Sequence, residues 1–261
     1  MQQQIISKLT TELLEAEEKL IPVEPLSARF PELSVKDSYH IQLKWVERKL
    51  EEGRVIIGKK VGLTSKAMQN MLGVDEPDYG HLLDHMEVST GTVLSRKDFI
   101  KPKVEAEIGF ILKDDLQGPN VTYIDVLMAT EALVPTLEII DSRIEDWKIK
   151  LVDTVADNGS SARAVVGKPF YEIDQIDLRM LSMTMLKNGE IRATGAGAAA
   201  LGHPAHAVAW LANKLADYNM SLKAGELILP GALSSAIDLE SGDEVTATFG
   251  KLGSVSISFC E

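Results

Sequence analysis

Glu105 and Glu107 stand two residues apart in Pro102-Lys103-Val104-Glu105-Ala106-Glu107-Ile108-Gly109-Phe110. Glu138 lies in a second apolar run, Pro135-Thr136-Leu137-Glu138-Ile139-Ile140. Both runs read as β-strands. Side chains two apart on a strand project to the same face, so Glu105 and Glu107 point together while Val104, Ala106 and Ile108 point the other way. Carboxylates in apolar strands are costly to bury unless something pairs with them. A hard divalent cation is one such partner, because Mg2+ takes oxygen ligands and keeps positions for water or substrate oxygens. The alternative is a solvated sheet face carrying Glu105 and Glu107, with Glu138 capping or pairing elsewhere. Glu-x-Glu is common on strands, and these residues alone leave both readings open.

Other stretches carry groups capable of chemistry. In Gly58-Lys59-Lys60-Val61-Gly62-Leu63-Thr64-Ser65 a lysine inside a glycine-bounded strand is a candidate for holding an anion, against the commoner snorkelling surface lysine. Asp75-Glu76-Pro77-Asp78-Tyr79-Gly80 reads as a turn-rich loop with three acids; such loops hold catalytic groups and are equally often only turns. The run from Asp153 to Arg163 is dense in hydrogen-bonding groups. His81 and His85 would share a helix face but lack a third zinc ligand, and read as surface or helix-end residues. Cys260 has no visible catalytic partner, and no Gly-x-Ser-x-Gly elbow occurs. Gly195-Ala196-Gly197-Ala198-Ala199-Ala200-Leu201-Gly202 lacks the Lys-Ser/Thr ending of a phosphate loop and follows a hairpin. Its glycines are expected to let backbone approach a ligand or another strand.

The elements that must position these groups begin with two helices. Ile6, Leu9, Leu13 and Leu20 recur at helical spacing, and Pro22 and Pro25 end that helix. Ser34 with Asp37 forms a capping box for a second, with Tyr39, Leu43, Val46 and Leu50 as its buried stripe, Trp45 off it, and Gly53 closing it. From Arg54 the pattern turns to short strands. A short helix is expected from Lys66 to Leu72, and another after Thr122 through Ile124, Leu127, Met128 and Leu133. Asn188-Gly189 marks a hairpin, Pro204 starts a helix, and Val255, Ile257 and Phe259 alternate with serines in a last strand. The expected fold is α+β: a helical N-terminal segment over residues 1–53 and a β-rich rolled or sandwiched mixed sheet over 54–261.

Composition narrows the function classes. Across 261 residues the formal charge is −12, which opposes nucleic-acid and anionic-membrane partners. No apolar stretch approaches the roughly 20 residues that span a bilayer. Met1-Gln2-Gln3-Gln4-Ile5-Ile6 has no basic region leading into an apolar core, so no secretory signal is expected. A single cysteine excludes an internal disulfide framework and suits the cytoplasm.

Six segments occur in order: Gly58 to Ser65, Glu76-Pro77-Asp78-Tyr79-Gly80, Lys103 to Ile108, Glu138-Ile139-Ile140-Asp141-Ser142-Arg143, Asp153 to Asn158, and Gly195 to Ala199. Together they resemble the 2-hydroxypentadienoate (2-oxopent-4-enoate) hydratase and 4-oxalocrotonate decarboxylase family of aromatic meta-cleavage pathways, a branch of the fumarylacetoacetase superfamily. The resemblance spans almost the whole chain. It implies a fumarylacetoacetase-like fold, a homo-oligomer associating at times with another enzyme of the pathway, and Mg2+ or Mn2+ held by Glu105, Glu107 and Glu138. It places Lys60 near the substrate carboxylate, with Leu63, Ser161 and Arg163 as further substrate contacts. Asp78 is its first proton-transfer group, with Asp153 as another. The implied reaction is hydration of a 2-hydroxy-2,4-dienoate to a 4-hydroxy-2-oxoalkanoate, with 4-oxalocrotonate decarboxylation as the alternative. In the decarboxylase branch an apolar residue stands where this chain has Asp78, and Ser-Val where it has Asp153-Thr154. Ser160-Ser161-Ala162-Arg163 leans the other way, Arg163 being suited to a second carboxylate. The chain as a non-catalytic scaffold in such an assembly is a further reading, against which Lys60 and the three glutamates argue.

Overall fold

In a computed structural model, which describes residues 3–66, 69–70 and 73–261, helices cover one end of a β-rich core. The chain runs α1 (Gln3–Lys19), α2 (Leu26–Arg29), α3 (Val35–Glu51), β1 (Ile56–Gly62), β2 (Asp78–Leu83), β3 (Glu87–Ser89), β4 (Val93–Ser95) and β5 (Lys103–Leu112). It continues through α4 (Tyr123–Ala129), β6 (Thr130–Ile140), α5 (Leu151–Ala156), β7 (Ser161–Val166), β8 (Ser182–Lys187), β9 (Glu190–Ala196) and α6 (Pro204–Ala216). It ends with β10 (Leu227–Leu229), β11 (Ile237–Asp238), β12 (Glu244–Phe249) and β13 (Gly253–Cys260). Of the stretch expected to be helical from Lys66 to Leu72, residues Ala67, Met68, Met71 and Leu72 lie outside the described residues.

The larger sheet has the order β2-β1-β10-β5-β6-β7-β3, with β11 pairing β5, and the smaller has the order β4-β13-β12-β8-β9. Both are mixed: in the larger, β1 runs parallel to β10 while β5 is antiparallel to β6, and in the smaller, β13 runs parallel to β4 and antiparallel to β12. Strand alternation decides what each face meets. Val104, Ala106, Ile108 and Phe110 of β5 pack in one core with Met183, Met185, Val245, Ala247, Val255, Ile257 and Phe259 of the smaller sheet. Each of the larger of these side chains contributes about 1.5–3 kcal/mol by leaving water, the alanines less. Glu105 and Glu107 are thereby turned to the opposite face of the larger sheet.

That second face is roofed by the N-terminal helices. Trp45 and Val46 of α3 pack on Leu82, Leu83, Val134, Ala164 and Leu229, while Leu9, Leu13 and Ile41 form a separate cluster with Ile144 and Ala156. Because α3 is gripped by α1 on one side and the sheet on another, its buried face is broader than the single stripe expected. Trp45 is only 2% exposed, whereas Leu50, at the end of the helix, is 42% exposed. The helix begun by Thr122 also departs from expectation. Pairing with β5 begins at Thr130, so the chain becomes strand where helical periodicity would have carried it on. Leu133 is therefore a strand residue, and Ile124 and Met128 are exposed.

Candidate metal centre and cavity

Register brings the three acids together. In the β5–β6 ladder Glu105 stands directly opposite Glu138, and one carboxylate oxygen from each of Glu105, Glu107 and Glu138 lies within 4.8 Å of the others. Glu107 Oε2 accepts a 2.7 Å hydrogen bond from the Gly231 N–H. Both oxygens of Glu138 are buried without a hydrogen bond, and Lys60 Nζ stands 3.5 Å from its Oε2. Burial pushes Glu105 up to about 7, with Lys60 opposing and the Glu138 and Asp78 charges adding to the rise. Burial, then the charges of Glu138 and Glu105, hold Glu107 well above the usual carboxylate range. Burial also raises Glu138, against the pull of Lys60. A buried carboxylate with Lys60 at 3.5 Å as its nearest cation, crowded by two more acids, fits a divalent cation. The all-oxygen donor set suits Mg2+ or Mn2+ better than zinc.

Lys60 reaches this cluster from β1. Burial disfavours its charge, but Glu138, Asp78, Glu105 and Glu107 more than reverse that, so its ammonium is held charged. Asp78 is the first residue of β2, in register with Gly62, rather than part of the turn-rich loop expected there. It is buried, and its Oδ1 makes no hydrogen bond. Burial raises its pKa and Lys60 lowers it. Gly62 is what lets the two groups share this space. A Cβ at that position would lie 2.1 Å from Asp78 Oδ1 and 3.4 Å from Lys60 Nζ. The glycine-rich stretch acts as its composition suggests: a Cβ on Gly195 would meet the Leu233 carbonyl oxygen at 2.0 Å.

A cavity of 590 Å³ spreads over this cluster, lined by Lys60, Asp78 and Glu105, by Leu63, Thr64 and Thr154, and by Lys103, Ile140, Trp147, Ile149 and Leu233 among others. Three of the anticipated residues stand elsewhere. Asp153 is the N3 residue of the capping box of α5 and ties that helix to α2. Its carboxylate accepts from Ser27 N–H at 2.9 Å, Ser27 Oγ–H at 2.7 Å and Lys150 N–H at 2.8 Å. With its lone pairs consumed in this way it does not line the cavity, and its neighbour Thr154 does. Arg163 lies over the Phe99 ring, 5.4 Å from its centroid, and donates to the Ala162 carbonyl at 2.8 Å, away from the cavity. Ser161 is buried close to Glu138 but does not line the cavity, whereas Ser160 does. Sequence reasoning missed Lys103, Trp147 and Thr154. Lys103 was open to the same period-two rule that paired Glu105 with Glu107; no local pattern marks Trp147.

His81, expected at the surface or a helix end, is buried in β2. Its Nδ1 is 3.2 Å from Gln42 Oε1, and its backbone N–H donates to Asn158 Oδ1 at 2.7 Å. Burial, then the charge of Lys59, pulls the ring down to about 3 from 6.5. A histidine neutral when folded but protonated when unfolded costs stability as pH falls from 6.5 toward 3, by up to about 1.4 kcal/mol per pH unit. The stability gap between the wild type and His81→Gln, measured by urea unfolding, is expected to shift by that slope between pH 6.5 and 4.5. A pH-independent gap would show the ring already charged in the folded state.

The fumarylacetoacetate (FAA) hydrolase C-terminal family matches residues 76–259. The chain belongs to the FAA hydrolase family. A 2-hydroxyhexa-2,4-dienoate hydratase of Comamonas testosteroni is 45% identical over 260 residues, covering 99% of this chain and 98% of that protein. A 2-oxo-hept-4-ene-1,7-dioate hydratase of Escherichia coli is 41% identical over 251 residues, 94% of each chain. Among solved structures, 4-oxalocrotonate decarboxylase from Pseudomonas putida G7, complexed with magnesium and adipate, matches with a TM-score of 0.97 and 39% identity over 99% of this chain and 98% of that one. These FAA hydrolase-family relatives are hydro-lyases and a carboxy-lyase, so both branches named by the sequence resemblance are represented among them. The α+β architecture of two mixed sheets is the fold of this family.

Proposed function

We propose that this FAA hydrolase-family chain is a divalent-metal-dependent lyase that hydrates 2-hydroxypenta-2,4-dienoate, or a close homologue, to a 4-hydroxy-2-oxoalkanoate. The observation carrying the reading is Asp78, a buried carboxylate that lines the cavity with one oxygen free of hydrogen bonds, on the same wall as Lys60. A cation held by Glu105, Glu107 and Glu138 would supply Lewis acidity to the carboxylate and 2-oxygen of such a substrate.

The chain's own groups account for the rest. Lys60 brings a fixed positive charge to the substrate carboxylate from between Glu138 and Asp78. Ketonisation takes the proton from the 2-hydroxyl and puts one on C5; addition of water across C3=C4 of the resulting enone puts the hydroxyl on C4, takes a proton from that water and returns one to C3. Asp78 is the group we assign to these transfers, a reading supported by its place on the cavity wall and by an Oδ1 without a hydrogen bond. Leu63, Ile140, Trp147 and Leu233 give the cavity apolar walls that exclude competing water around the hydrocarbon part.

Decarboxylation of 4-oxalocrotonate is the second reading, supported by the whole-chain likeness to a decarboxylase of that substrate. Against it stands Arg163, which is turned away to Phe99 rather than offered to a second carboxylate. The deciding experiment supplies the protein and Mg2+ with freshly generated 2-hydroxypenta-2,4-dienoate or with 4-oxalocrotonate and identifies products by NMR. The expected product is 4-hydroxy-2-oxopentanoate; carbon dioxide from the dicarboxylate with no hydration of the monocarboxylate reverses the assignment.

The same reading makes the protein a cytoplasmic homo-oligomer acting on a small molecule and able to associate with another enzyme of the pathway. The charge of −12 disfavours nucleic-acid and anionic-membrane partners, and among the described residues no helix is long and apolar enough to cross a membrane. Sedimentation of the purified protein tests the oligomer.

A further inference from the structure

Lys103 is the other cation on the cavity wall. Among the described residues lining the cavity, the lysines are Lys60, engaged by Glu138 and Asp78, and Lys103; no arginine lines it. Lys103 precedes Glu105 by two residues on β5 and shares its face, about 7 Å along the strand. Six carbon–carbon bonds span roughly the same length when extended as backbone does. A chain with its 2-oxo acid end at Glu105 and its tail laid along β5 therefore brings a seventh carbon to Lys103.

The lysine there is not free. β11 pairs with β5 so that Asp238 is the cross-strand partner of Lys103, and the two side chains meet with Lys103 Nζ 2.5 Å from Asp238 Oδ1. The ammonium also lies over the Trp147 ring at 5.5 Å, and the Trp147 indole N–H is anchored on the Lys101 carbonyl at 3.0 Å. The Lys103 side chain is 25% exposed and that of Asp238 67%. The register of β11 thus delivers a carboxylate to the place where the carboxylate of a dicarboxylic substrate would bind.

We propose that the Lys103–Asp238 pair sets specificity for the far end of the substrate: with Lys103 already engaged, the cavity selects 2-oxoenoates with an uncharged tail and rejects those ending in a second carboxylate. This inference rests on the proposed hydratase reading for its substrate class, and its geometry makes a prediction independent of turnover. A tail carboxylate must displace Asp238 or sit beside it as a like charge, and discrimination through such a repulsive element is a common route to specificity.

The test measures binding of pentanoate and heptanedioate to the Mg2+-loaded protein by calorimetry, alongside kcat/KM for five-carbon monocarboxylic and seven-carbon dicarboxylic dienoates. The wild type is expected to bind pentanoate more tightly. In Asp238→Asn the affinity ratio of heptanedioate to pentanoate rises about fivefold, the size of one partly exposed ion pair. Adding Lys103→Met in the same chain cancels the gain, which a general loss of negative charge would not allow. A wild type that prefers heptanedioate, or a gain that survives Lys103→Met, overturns the inference. Hydration of neither dienoate, with the binding ratios shifting as described, removes the proposed reaction and leaves this inference standing. Hydration with unshifted ratios does the reverse.

Discussion

Glu107→Gln is expected to leave a folded protein that no longer holds its divalent cation or turns over substrate. The side chain shares its site with Glu105 and Glu138, and all three are buried or nearly so among one another's charges. Losing an outer partner of a metal ligand costs roughly 10–100-fold in affinity, and losing a ligand should exceed that. The amide keeps an oxygen for the Gly231 N–H, now received by Glu107 Oε2, so the local backbone has no reason to move. Stability should change in the opposite sense to activity. Without a cation the wild type buries Glu107 between Glu105 and Glu138, a position so unfavourable to its charge that its pKa is held well above the usual carboxylate range, and the neutral amide removes that cost. The metal-free variant is expected to melt at or above the temperature of the metal-free wild type, while added Mg2+ raises the melting temperature of the wild type alone. Calorimetric titration with Mg2+ and a melting scan with and without chelator read both effects. Full activity of the wild type in excess chelator would remove the metal from the mechanism.

Asp78→Asn is expected to separate chemistry from metal binding. The carboxylate is close enough to Lys60 for their charges to act on each other, yet it is not one of the three clustered acids. Its replacement should therefore leave Mg2+ affinity within a few-fold of the wild type. The amide cannot take a proton from water, and the loss of a positioned acid–base group costs about 10²–10⁴ in rate. The predicted signature is a fall in kcat for hydration of that order with little change in the Mg2+ dissociation constant. Parallel loss of both would make Asp78 a structural partner of Lys60, and an unchanged kcat would move proton transfer to another group on the cavity wall.

Most of the secondary structure was legible because local rules dominate where they are strong. The Ser34–Asp37 capping box, the Asn188-Gly189 turn and the alternation Val255, Ile257, Phe259 each specify backbone within a few residues, and the corresponding elements are found. Reading failed where a neighbour distant in sequence decided the outcome. Trp45 is buried because α3 has two partners, Met128 is exposed because its helix gives way to the β6 ladder, and His81 is a strand residue because β2 pairs with β1. Asp153 and Arg163 illustrate the same limit within the site. Their types suit catalysis and anion binding, but Ser27, 126 residues away, takes the first, and the Phe99 ring takes the second.

What the sequence determined alone is the facing of Glu105 and Glu107, since a strand's period of two depends on nothing outside it, and the order of motifs that marks the family. What only the tertiary structure decided is which other groups join them. The antiparallel register sets Glu138 opposite Glu105, Gly62 leaves room for Lys60 beside Asp78, and β11 carries Asp238 to Lys103. Each of these meetings is a matter of register and close approach between segments far apart in the chain. A shift of one residue in any ladder would turn the same side chains to the opposite face.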